Sequence, residues 1–178
     1  MTTPNIEALE RLCRLLAEQI AVEKAAPVLQ RFVEIRLDMC NWGRSEPYRA
    51  DCGSTACALG LACLDPWFQE RGLVLVSSDG DIARTLDDLK RHPGKRLFPI
   101  HRDPNNPDTG RDPFDWPHEY NAGASFFGIK PWQARGLFDP EEYGRGERNS
   151  PQAVLNRVEE LLAQLKLTAE ARREAGLT

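Results

Sequence analysis

The first hydrophobic positions of the chain, Ile6, Leu9, Cys13, Leu16 and Ile20, recur at spacings of three and four and predict an amphipathic helix with one face on a core. Thr3 is its expected N-cap and Pro4 its first helical residue, and Pro27 should stop it. The period then changes. Val33, Ile35, Leu37 and Met39 alternate with Glu34, Arg36 and Asp38, which suits a strand, with room for a short helix at 28–32 before it. Residues 41–47 read as a loop around Trp42. A helix over about 55–64, capped by Asp51 or Ser54 and ended by Pro66, presents a small face of Ala56, Gly60 and Cys63.

Beyond Gly72 the apolar, β-branched run at 73–76 predicts a strand, and 77–80 a turn. Ile82, Leu86 and Leu89 share one face of a helix over 81–89, and 96–101 returns as a strand. The prolines and Asx residues of 102–117 support neither helix nor central strand, so this is a long loop of the kind that often carries function. Helices are expected over 118–127 and from Pro131, the latter carrying Trp132, Leu137 and Phe138 before Asp139-Pro140. Ser150 and Pro151 open a last helix with a stripe of Val154, Val158, Leu161 and Leu165, flanked by Leu155 and Leu162. It runs to about Leu167, and the polar residues 168–178 either fray or extend it. The pattern as a whole predicts a predominantly helical α+β domain spanning 1–178, with one small sheet from 33–39, 73–76 and 96–101.

Composition narrows this little. With 178 residues, 41% hydrophobic and 28% charged, the chain suits one globular domain. The net charge of −4 speaks against a general nucleic-acid binder. No apolar run approaches the roughly 20 residues that span a bilayer, and the amphipathic, acidic N-terminal segment is unlike a signal peptide, so the expected location is the cytoplasm. The odd count of 5 cysteines then reads as free thiols, not as a disulfide framework.

Chemistry is suggested first by Cys52-Gly53-Ser54-Thr55-Ala56-Cys57-Ala58-Leu59-Gly60. A cysteine at a helix entrance gains partial positive charge that lowers its pKa, so Cys52 or Cys57 is a candidate nucleophile, with His101 or His118 as base. The bland reading is that both cysteines and both glycines serve close helix packing. Cys-Gly-Ser is similar to part of the papain-like peptidase motif, but Thr55 and Ala56 stand where that motif has a second cysteine and an aromatic residue, so no roles carry over. Zinc is a further alternative, through Cys40, Cys52, Cys57 and Cys63, although no C-x-x-C pair is present; otherwise no metal or cofactor is expected.

Two other features bear on partners. Residues 90–102 contain Lys90, Arg91, His92, Lys95, Arg96, His101 and Arg102 with Phe98 among them and no acid, a stretch suited to phosphate or nucleic acid but more often a solvated basic face. Aromatics gather in the second half. Most are expected in the core, while Trp116 and Trp132, if they border the long loop, form a surface for a protein partner, with Arg96 and Arg102 as further binding candidates.

Met39 and Trp42, the run Cys52-Gly53-Ser54-Thr55-Ala56-Cys57-Ala58-Leu59-Gly60-Leu61-Ala62, then Phe126-Phe127-Gly128-Ile129 and Leu137-Phe138 resemble a family of small uncharacterised bacterial and phage proteins. Ser54 replaces that family's usual threonine, and Leu61 a frequent aromatic. The resemblance covers about the middle two-thirds of the chain. It implies a prokaryotic or phage origin and a compact, mainly helical fold, and brings no activity with it. The expectation is therefore a non-enzymatic cytoplasmic interaction or regulatory module for a protein partner, with a cysteine-dependent hydrolase or transferase as the alternative.

Overall fold

The computed structural model describes residues 3–29, 35–37, 44–45, 54–77, 79–91, 97–102, 119–144, 147 and 150–176. The fold is α+β and mostly helical. Helix α1 (Ile6–Leu29) is followed by three short strands, β1 (Ile35–Leu37), β2 (Arg44–Ser45) and β3 (Ser54–Ala56). Helices α2 (Ala58–Leu64) and α3 (Pro66–Glu70) lead into β4 (Leu73–Ser77), β5 (Ile82–Ala83), α4 (Leu86–Arg91) and β6 (Leu97–His101). Helices α5 (Tyr120–Phe127) and α6 (Pro131–Phe138), a 3-10 turn at Pro140–Glu142 and α7 (Pro151–Glu174) complete the order.

The start of α1 differs from expectation. Asn5, not Thr3, caps it: the Ala8 N–H donates to Asn5 Oδ1 at 3.1 Å and the Leu9 N–H to the Asn5 carbonyl at 3.2 Å. The reason lies far away in sequence. The Asn5 N–H donates to the Phe127 carbonyl at 2.8 Å, so the entering chain is held against the end of α5 and turns helical only afterwards. Pro27 forfeits one backbone bond without ending the helix, which continues to Leu29.

The described strands form two sheets and not the single one expected. In the first, β3 lies between β1, parallel, and β2, antiparallel, with Ile35 opposite Ser54 and Leu37 opposite Ala56. The backbone of 54–56, predicted as the cap and first residues of a helix, is used in this pairing, and α2 accordingly begins later. In the second sheet β4 lies between β5 and β6, antiparallel to both, running from Leu73 opposite His101 to Ser77 opposite Leu97. The predicted helix over 81–89 divides there. Ser77 Oγ accepts the N–H groups of Asp79 and Asp81, both at 3.2 Å, turning the chain so that 82–83 pair with β4. Thr85 then caps α4 by accepting the Asp88 N–H at 3.1 Å.

Pro99 is tolerated inside β6 because of its register. The Arg102 N–H donates to the Gly72 carbonyl at 2.9 Å, and the alternation of an antiparallel ladder then turns the backbone of Pro99 away from β4. Its outward carbonyl accepts the Glu119 N–H at 2.9 Å.

One hydrophobic cluster draws on α1, α2, α3, the inner face of β4 and β6, α5, α6 and α7. Phe68, Phe127 and Phe138 are fully buried within it, and the Phe127 and Phe138 rings stack with centroids 5.8 Å apart. Helices α5 and α6 approach closely because Gly123 has no side chain: a Cβ there would lie 2.7 Å from the Phe138 ring. Along its outer flank α7 packs against α1, joined by a Lys166 to Glu10 ion pair of 2.6 Å near the start of one and the end of the other.

Gly136, within α6, is the opposite case. A Cβ at this position meets nothing within 4 Å, so only the backbone entropy of glycine is at stake. Gly136→Ala is expected to stabilise the fold by roughly 0.5–1 kcal/mol, read as a rise of about 1–4 °C in melting temperature by circular dichroism.

Candidate functional site

The cysteine run is resolved into a strand end and a cap. Cys57 is the N-cap of α2, with its Sγ accepting the Gly60 N–H at 3.3 Å, and Ser54 to Ala56 precede it as β3. The sequence pattern puts Cys57 within the helix and Cys52 at its entrance; the pairing of β3 shifts the entrance to Cys57. Cys52, with Cys40, lies outside the described residues. Cys57 is fully buried, as is Cys63 six residues on. Burial, and then the neighbouring Cys57, push the Cys63 thiol well above the ordinary range. Cys13, half-buried beside α7, is pushed up to about 11 by burial and then by Glu159 and Glu10.

This arrangement is that of packing and capping. A nucleophile must present its sulfur to a substrate, and Cys57 has no exposed surface. A maleimide reagent at pH 8, followed by mass spectrometry of each cysteine peptide, is expected to leave Cys57 and Cys63 unmodified in the folded protein and to label both once it is denatured. Rapid labelling of Cys57 in the folded state would overturn its placement. Among the described residues no three His, Cys, Asp or Glu side chains gather as a metal ion would need.

His101 closes β6 and is buried, with its Nδ1 2.8 Å from Ser125 Oγ on α5 and its ring edge-on to Phe126 at 5.2 Å between centroids. The pair joins the second sheet to α5. Ser125 was not anticipated from sequence, although it is the one polar side chain in Ala122-Gly123-Ala124-Ser125-Phe126-Phe127 and so the residue to question there. Arg102 is exposed just past the strand. Arg96, Trp116, His92 and His118 lie outside the described residues, as does most of the long loop.

Trp132 is the aromatic candidate that, among the described residues, the fold sets on the surface. The core face of α6 is Ala134, Leu137 and Phe138, and at 100° per residue Trp132 lies about 160° round the helix from its centre. Its relative exposure is 67%, whereas Phe126, Phe127, Phe138 and Tyr143 are buried as expected. Arg135 is exposed on α6, paired with Asp139 and Glu142 at 3.2 Å each.

Both ends of α6 are fixed. At its start Pro131 takes the first position and the Lys130 N–H donates to Gln133 Oε1 at 2.9 Å. At its end Arg157 of α7 donates to the carbonyls of Gly136 at 3.0 Å and Glu142 at 2.6 Å, while its guanidinium lies 3.9 Å from the Tyr143 ring centroid. The Tyr143 hydroxyl in turn donates to the Leu137 carbonyl at 2.7 Å; burial raises its pKa. Arg157 is the second residue missed from sequence, because nothing local distinguishes it from the other arginines. Its effect is to tie the last turn of α6 to α7.

Comparison of the chain with family models, curated proteins and solved structures finds no match. Among the described residues no helix is long and apolar enough to cross a membrane.

Proposed function

We propose that this protein is a non-enzymatic cytoplasmic interaction module, of bacterial or phage origin, that binds a protein partner through the outer face of α6 with Trp132 as the anchor. The observation that carries the reading is a tryptophan two-thirds exposed on a helix fixed at both ends. An indole offers a large apolar area with a single polar tip and few rotatable bonds, which is why tryptophan is favoured at the centre of interfaces. A rigid helix lowers the ordering cost of binding further. The Arg135 cluster supplies a polar rim.

The test is site-specific photo-crosslinking in cells. A photoreactive residue at Lys130, beside the Trp132 face, is expected to give a discrete higher-mass adduct with another protein. The same residue at Leu167, which is 66% exposed on α7, is expected to give none. Equal adduct patterns at the two positions, or no adduct at Lys130, would remove α6 as the binding face.

A further inference from the structure

We draw no further inference here: the strongest candidate, the His101–Ser125 side-chain pair where β6 meets α5, belongs to the site already described, and Ser125 lies in the C-terminal half of its helix, where the dipole opposes the negative charge that chemistry at its hydroxyl would develop.

Discussion

Gly128→Ala is expected to destabilise the fold by about 2–4 kcal/mol, lowering the melting temperature by roughly 4–16 °C. Gly128 ends α5 in the left-handed region at φ 61°, ψ 29°, where a side chain costs about 1–2 kcal/mol. The added Cβ would also run into the Thr3 carbonyl, which is backbone and can yield only by moving the entering chain. That movement pulls the Asn5 N–H from the Phe127 carbonyl and disturbs the cap of α1. Gly80→Ala is the control, since Gly80 also has positive φ, 88°, but open space around its Cβ position. It is expected to show the conformational cost alone, about 1 kcal/mol. Urea unfolding of both variants checks the account; equal losses would mean that the Thr3 contact contributes nothing.

Asp65→Ala is expected to cost about 2–4 kcal/mol, because one buried carboxylate caps α3 and pairs with α1. Its Oδ1 caps α3 by accepting the Trp67 N–H at 3.0 Å, and its Oδ2 accepts Arg11 Nη2 of α1 at 2.5 Å, at the junction with α2. The Asp65 side chain is 7% exposed and that of Arg11 32%, so the pair is worth less than a fully buried one but more than a surface bridge. Removing the carboxylate leaves Arg11 with a lost partner when its Nε is already buried without one. Asp65→Asn retains a capping oxygen and is expected to cost less. Arg11→Met combined with Asp65→Asn should cost less than the two single losses added, with a coupling of about 1–3 kcal/mol in urea titrations. Strict additivity would show that the two side chains do not act as a pair.

What was legible in the sequence was local. Helix α7 begins as Ser150-Pro151 indicates, with Ser150 Oγ accepting the Ala153 N–H at 3.3 Å, and its buried positions Val154, Leu155, Val158 and Leu161 belong to the predicted stripe. It continues to Glu174, so most of the polar tail extends the helix. Strands β4 and β6 and the limits of α6 were likewise readable from composition and proline placement. Two of the errors arose where a distant group decided the outcome. Asn5 replaces Thr3 as cap through a carbonyl at Phe127, and 54–56 leave the helix because 35–37 and 44–45 pair with them. Neither partner is visible in a local window.

The candidate site divides in the same way. The outward position of Trp132 follows from the spacing of Ala134, Leu137 and Phe138, and was in principle readable. A packing role for Cys57 was also read from its small, apolar helix; the partners that bury that helix, β4, α1 and α3, were not. Ser125 and Arg157 act through hydrogen bonds to residues 24 and 21 positions away, which no motif encodes.

The central claim is that Trp132 anchors a protein partner. Its most direct test is the dissociation constant of the crosslinked partner, purified, for wild type and Trp132→Ala. The account predicts a loss of affinity of about 30-fold or more, the effect of a hot-spot residue worth about 2 kcal/mol, at an unchanged melting temperature. Binding by Trp132→Ala within twofold of wild type would contradict it.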